Sequence, residues 1–385
     1  MMSTRATRKR ATERAASDHL ALNGSAETGR DGKSNGCAVG ASGLALVLFL
    51  AQLLTCNAGE NTLEVIAQKN QIKFADDCYT VFASVVFLPP LASQSFTNRI
   101  SDEVRNLHRS ISLVIPTACT VILSDEQSSH KLLRHIPMNS RFNIVSFARL
   151  PSNVAHSSRE FRSYMINGCP LPRLIMFSAL LRLQLLSNIV LLDSDILLLR
   201  DISHVFKYSF DVGLTLSKKT PPGMQPNGKS INIGMIFVKK SRHERGASLL
   251  ESAAKECLNN ELPKSQVMDQ YSMHSIILKG QEGNKVKINP GGTNYRGAGQ
   301  CVKVTPTNSS YTCTVLFLSD QYNSVATKLT RSSFVAHFTG DRKNLMPKFA
   351  HSLFKGGAKK FISSRRKSYN KNDNNWQKLA SRTCS

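Results

Sequence analysis

The sequence predicts an α/β domain on a Rossmann-like, mostly parallel central sheet flanked by helices, with a single transmembrane helix ahead of it. Three observations lead there. From Cys78 onward, strand-like and helix-like segments alternate, which is the pattern of βαβ units. The strand-like segments are continuously apolar rather than alternating, as expected where helices cover both faces of a sheet. The 20-residue run CAVGASGLALVLFLAQLLTC, Cys37–Cys56, carries no charge and has about the length a helix needs to cross a hydrocarbon core.

Taken in order, residues 1–36 are small, polar and charged and read as a disordered cytosolic tail. Residues 37–58 form the signal anchor and 59–77 a short stem. A catalytic-type domain fills 78–350, and 351–385 is a basic C-terminal tail. Within the domain, YTVFASVVF, Tyr79–Phe87, is β-branched and aromatic and predicts a buried strand that Pro89 and Pro90 end. Phe96–Ile111 predicts a helix, Cys119–Asp125 a second strand and Ser129–Ile136 a short helix. Phe142–Leu150 is a third strand. Leu171–Leu186 is a long helix leading into a fourth strand, Ile189–Leu192.

The chain has 385 residues, 50 Lys and Arg against 26 Asp and Glu, and a formal charge of +24. That balance favours polyanionic partners. No zinc-finger or RNA-binding motif accompanies the charge, so nucleic acid is an unlikely ligand. From Lys355 to Lys371 the chain carries seven Lys or Arg and no acid. This reads as a solvated, mobile C-terminus, with a patch for membrane phosphates or an acidic glycan as the sharper reading. Seven basic residues precede the apolar run, against four acids; Glu60 and Glu64 follow it. By the positive-inside rule the domain is lumenal: a single-pass type II protein of the Golgi or ER membrane. The rival is a secreted protein, with a signal peptide cut after the CNA triplet before Gly59. Asn308 heads the sequon beyond the anchor. Nine cysteines include no CxxC pair, which disfavours a structural zinc cluster. Cys301 and Cys313 are the best local disulfide candidates.

The stretch IVLLDSDILLLR, Ile189–Arg200, sets two acids one residue apart in an apolar segment. Buried carboxylates are costly unless paired. Asp193 and Asp195 fall where the strand stops, the end at which open α/β sheets bind ligands. In extended chain they point to the same side, so both can approach one Mg²⁺ or Mn²⁺, hard cations that take oxygen ligands and borrow others from a substrate phosphate. The bland alternative is that they cap the following turn. A second cluster, VAHFTGDRKN, Val335–Asn344, supplies His337, Gly340 and Lys343. A neutral imidazole completes a Mn²⁺ site, glycine lets the backbone come close to a ligand, and lysine gives a point charge for a phosphate. For His337 alone, a satisfied core histidine is the plainer reading.

Four motifs in order then resemble one family. LPRLIMFSALLRLQLLSNIVLLDSDILLLRDISHVF, Leu171–Phe206, resembles its helix, strand, DxD and exit turn. NIGMIFVKKS, Asn232–Ser241, resembles its asparagine–x–glycine strand, and DQYSMHSIIL, Asp269–Leu278, its aspartate–glutamine helix. HFTGDRK, His337–Lys343, resembles its late histidine loop with the same spacing. The chain thus resembles glycosyltransferase family 8, the glycogenin-like and galactinol-synthase-like enzymes of the GT-A fold, over about Tyr79–Lys348.

The resemblance implies a retaining, UDP-sugar-dependent transferase acting on a glycan, glycoprotein or small polyol acceptor. It implies that Asp193, Asp195 and His337 ligate Mn²⁺ (or Mg²⁺). Lys343 and Gly340 would hold the donor phosphates, Arg173 would add charge near the donor, and Asn232 would line the sugar pocket. Asp269 and Gln270 would face the sugar and acceptor as the catalytic pair. Some positions depart from the pattern. Asn344-Leu345 stand where the family often has Pro-Trp, Tyr271 replaces a usual glycine, and Lys218–Ser230 contains no acid. Two further readings remain: another GT-A family acting on a cell-wall or protein glycan, or an inactive membrane-anchored relative that binds glycan.

Overall fold

A computed structural model describes residues 74–89, 91–146, 171–216, 231–259, 268–280, 299–306, 310–330, 332–363, 380–382 and 384. All belong to one unit, Ala45–Ser385. The run Cys37–Cys56, the sequon at Asn308 and the whole of Lys218–Ser230 lie outside the described residues. Among the described residues no helix is long and apolar enough to cross a membrane.

Among the described residues ten strands form two sheets. β1 (Thr80–Val85), β2 (Cys119–Ser124), β3 (Phe142–Ser146) and β4 (Asn188–Leu192) run parallel in the order β3-β2-β1-β4. The large sheet continues through β7 (Ile231–Val238), β6 (Val212–Leu216), β9 (Cys313–Leu318) and β8 (Cys301–Val304). β7 opposes β4 and β6, and β8 opposes β9, while β6 and β9 are parallel. Six of the eight strands therefore point the same way, and the expected mostly parallel sheet carries two reversed strands. β5 (Ile196–Leu198) and β10 (Val335–His337) pair as a separate two-stranded sheet.

The strands are buried along nearly their whole length. Val81, Ala83, Cys119, Val121, Ile189, Leu191, Ile236 and Phe317 share one large core, as continuous apolar runs require. Among the described residues six α-helices accompany them: α1 (Gln94–Val114), α2 (Glu126–Leu133), α3 (Leu171–Arg182), α4 (His243–Asn259), α5 (Met268–Gly280) and α6 (Met346–Ser363). Local chemistry sets their starts. The Ser93 hydroxyl accepts the Phe96 N–H at the head of α1, and Asp125 accepts the Ser128 N–H at the head of α2. Asp125, read in the sequence as the end of a strand, thus caps α2, which begins at Glu126, three residues before the Ser129 start expected.

Two sequence expectations fail here. Cys301 pairs with Cys384, not Cys313, and Cys78 pairs with Cys119. The hairpin register explains the first: Cys301 faces Leu316 and Cys313 faces Val304, so the two candidates sit at opposite ends of the ladder. Cys313 is a buried thiol. The C-terminal region is also less free than its composition suggests. α6 runs through residue 350 to Ser363, and Ala350 and Leu353 are buried beside Leu197, Leu199 and Phe338. This small second core seats β5 and β10, and with them the loop that follows β10.

Candidate metal centre

Two pairings bring distant segments to the end of β4. In the antiparallel register Leu192 faces Met235, and the Asp193 N–H donates to the Gly234 carbonyl at 3.1 Å. In the second sheet His337 faces Ile196, and the Phe338 N–H donates to the Asp195 carbonyl at 2.9 Å. Asp193, Asp195 and His337 then converge, each offering a ligand atom within 4.8 Å of the others. The pleat argument for the two acids does not hold, because the chain turns between β4 and β5 at Ser194 and Asp195. The turn and the β10 pairing bring the carboxylates together instead.

The donor set is tight. The His337 Nε2 lies 3.4 Å from Asp193 Oδ2 and 3.2 Å from Asp195 Oδ1. Lys343 Nζ lies 3.1 Å from the other Asp195 oxygen. Asp195 and His337 are both buried. Burial alone would raise the Asp195 pKa; the His337 and Lys343 charges outweigh it and hold it at about 2. Burial alone would lower the His337 pKa; the two carboxylates raise it to about 9. Lys343 is also raised: burial opposes its charge, but Asp195 and Glu103 favour it more.

Arg173, near the start of α3, reaches across the cluster and donates to both Asp193 and Asp269. Asp269, near the start of α5, is 1% exposed and also accepts the Gln270 N–H at 2.8 Å. Burial raises the pKa of Asp269, although Arg173 pulls it down. The expected catalytic acid therefore lies beneath Arg173 in this structure. Gln270 is half-buried and enters the network through its backbone N–H. Gly340 opens the turn Gly340–Leu345 that carries Lys343. Its φ of +61° is the reason for glycine there, since a Cβ would meet nothing within 4 Å.

Two observations test whether these residues fit a divalent cation. Asp195 Oδ1 is a buried carboxylate oxygen with no hydrogen-bond partner among the described residues, the His337 Nε2 at 3.2 Å making an ion-pair contact only. At Gly234 an added Cβ would come within 2.9 Å of Asn232 Oδ1, Asp193 Oδ2 and His337 Cε1. The glycine keeps a space where the donor atoms converge. Two carboxylates and an imidazole suit a divalent cation, so the residues fit.

Sequence reasoning missed two residues. Asn323, 8% exposed, bonds both Asn232 and His337; no spacing rule ties it to either. Glu103, on α1, is 3% exposed with neither carboxylate oxygen hydrogen-bonded among the described residues. Burial raises its pKa against the pull of Lys343. It lines, with Arg99, Asn106, Lys343 and Met346, a cavity of ≈ 330 Å³ between α1 and α6. An acid on the buried face of an expected helix was a visible signal. Asn232, expected at a sugar pocket, uses its side-chain oxygen inside the cluster, accepting from Gly234 N–H and Asn323.

No protein-family model matches the chain, and no curated protein does. Solved structures do match. Mouse xyloside xylosyltransferase 1, in its apo form, is 11% identical with a TM-score of 0.32, covering 51% of this chain and 81% of that one. The galactosyltransferase LgtC, in complex with donor and acceptor sugar analogues, is 11% identical with a TM-score of 0.35, covering 78% and 99%. An active-site mutant of LgtC gives 12% identity at the same TM-score and coverage.

Proposed function

We propose that this chain is a family 8-like glycosyltransferase that moves a sugar from a UDP-sugar to a hydroxyl acceptor with retention, using Mn²⁺ or Mg²⁺. One observation carries the reading. Asp193, Asp195, His337 and Lys343, drawn from two motifs far apart in sequence, meet in one half-buried cluster at the end of the central strand β4. That combination suits a diphosphate: the carboxylates and imidazole would hold a cation, and the lysine would share the phosphate charge.

Asp193, Asp195 and His337 would hold the cation, which supplies charge stabilisation to the departing diphosphate. Lys343, 3.1 Å from Asp195, is placed to contact a phosphate beside that carboxylate and to stabilise charge growing on the leaving group. Gly340 leaves open space beside the same turn for the phosphate to approach. Arg173 clamps Asp193 and Asp269 together, which orients one ligand and covers the buried acid. Asp269 and Gln270 remain the pair assigned to the donor sugar and acceptor; for Asp269 that role requires Arg173 to turn aside when the donor binds. The basic flank before the apolar run Cys37–Cys56 supports an anchored protein with a lumenal domain in the Golgi or ER.

A panel of UDP-sugars incubated with the full-length protein, with and without Mn²⁺, tests the reading. Mn²⁺-dependent release of UDP from at least one sugar is expected. Failure to bind UDP in Mn²⁺ would remove it.

A further inference from the structure

A chain of three hydrogen bonds behind the cluster has a direction that a single backbone group fixes. The Gly234 N–H can only donate, and it does so to Asn232 Oδ1 at 2.7 Å. The atom of Asn323 that lies 2.6 Å from this same oxygen must therefore be a donor, its Nδ2. That turns Asn323 Oδ1 toward His337, 2.6 Å from Nδ1. An amide oxygen only accepts, so His337 must carry a hydrogen on Nδ1. A neutral imidazole holds one hydrogen, and its Nε2 then presents a lone pair.

That lone pair faces two carboxylates, at 3.2 and 3.4 Å. Three electron-rich groups aimed at one point repel unless a positive charge sits between them. We infer that Asn323 is a positioning residue: tied to Asn232 and the Gly234 N–H, it fixes His337 as the Nδ1–H form and reserves Nε2 for a divalent cation. This rests on the proposed cation site and names the part of the chain that prepares it. Partners behind metal-bound histidines act this way in general, setting ring orientation and basicity.

The wider surroundings of Asn323 agree. It ends the turn Asp320–Asn323 after β9, and its Nδ2 also lies 3.3 Å from Thr215 Oγ1. Thr215 Oγ1 itself donates to the Asn232 carbonyl at 2.7 Å, and the His337 N–H donates to the Ser324 carbonyl at 2.8 Å. The strap joins β6, β7, the turn after β9 and β10, so the imidazole is held at both its backbone and its ring.

Two variants and one spectrum test this on the full-length protein. Asn323→Leu keeps the volume and removes the acceptor; Asn323→Asp keeps the acceptor and gives up the bond to Asn232. Titrated with Mn²⁺ by electron paramagnetic resonance, the leucine variant is expected to bind at least about tenfold more weakly, in line with the loss of an outer partner. The aspartate variant is expected to stay within about threefold of wild type while melting at a lower temperature, because two acceptors then face each other. A merely structural role predicts that affinity follows melting temperature in both. Wild-type affinity in Asn323→Leu, or an equal loss in both variants, overturns the inference. In metal-free wild type, ¹⁵N spectra are expected to show a hydrogen on His337 Nδ1; an Nδ1 without a hydrogen overturns the inference on its own. Absence of Mn²⁺ binding to wild type would instead strike the cation site, and the spectrum would still decide the role of Asn323.

Discussion

Asp195 and Asp211 are both buried aspartates held by cationic groups, yet they are built for different ends. Asp211 is surrounded by fixed donors: the Thr314 N–H at 2.8 Å, Arg242 Nε at 3.1 Å and Arg245 Nη1 at 3.1 Å. Its own carbonyl accepts the Lys239 N–H. It joins α4 to the β6–β9 edge. Asp195 is held by His337 and Lys343, a proton-exchanging ring and a lysine on a turn, and its Oδ1 has no hydrogen bond among the described residues. The difference separates a carboxylate whose partners complete it from one whose partners can be exchanged. Stability arguments account for the first; the second keeps capacity for a ligand.

Replacing each acid by its amide should break this contrast most sharply. Asp195→Asn is expected to weaken Mn²⁺ binding at least about 100-fold and to cut Mn²⁺-dependent UDP release at least as much, measured by titration and donor turnover. Asp211→Asn should leave Mn²⁺ affinity within about threefold while costing about 2 kcal/mol of stability, because in either orientation its amide nitrogen would face an N–H donor, of Arg242 or of Thr314. If Asp211→Asn abolishes Mn²⁺ binding, the distinction fails.

Next in size is a pH effect. The folded His337 pKa, about 9, stands above the ordinary 6.5. Its contribution is therefore fully present below pH 6.5 and lost as pH rises through about 9. Melting of the metal-free protein across that window should show a loss of about 3 kcal/mol. Saturating Mn²⁺ should flatten it, since the cation takes the place of the proton. Apparent Mn²⁺ affinity should accordingly rise with pH up to about 9 and level off beyond. The acid side behaves oppositely: Asp195, held at about 2, contributes above its ordinary range, and that contribution disappears as pH falls through about 2.

Smaller effects sharpen the boundary of the site. Gly234→Ala would push a methyl group to within 2.9 Å of three donor-side atoms, and a loss of about tenfold or more in Mn²⁺ affinity is expected from the disturbed ligands. Calorimetry on that variant should show the fold intact. Lys343→Met should lower UDP affinity about tenfold, the worth of a charge-assisted hydrogen bond, and leave Mn²⁺ affinity within about threefold. A methionine variant that binds UDP as wild type does would remove Lys343 from the phosphate site.

Much of the fold was legible because it rests on local pattern. Continuous apolar runs identified β1 to β4, and helical spacing identified α1 and α3; α5 was expected only from the resemblance of Asp269–Leu278. The DxD pair and the histidine loop were readable because their residue types are expensive to bury without a purpose. What escaped depends on pairing between distant segments. The register of β8 against β9 decided the disulfide question, and the β5–β10 ladder set His337 opposite Ile196. Asn323 is an ordinary residue in the sequence; only the folded chain shows that a backbone N–H orients it. Asp269 was expected at the site, but its burial under Arg173 depends on how α3 and α5 meet near their N-termini.

The most direct measurement is calorimetric titration of UDP into the full-length protein with Mn²⁺ present, repeated in EDTA and with Asp195→Asn. Binding with Mn²⁺ that disappears in EDTA and in the variant is the result predicted. Equal UDP binding under all three conditions, or none with Mn²⁺, would contradict a cation-held diphosphate site at Asp193, Asp195 and His337.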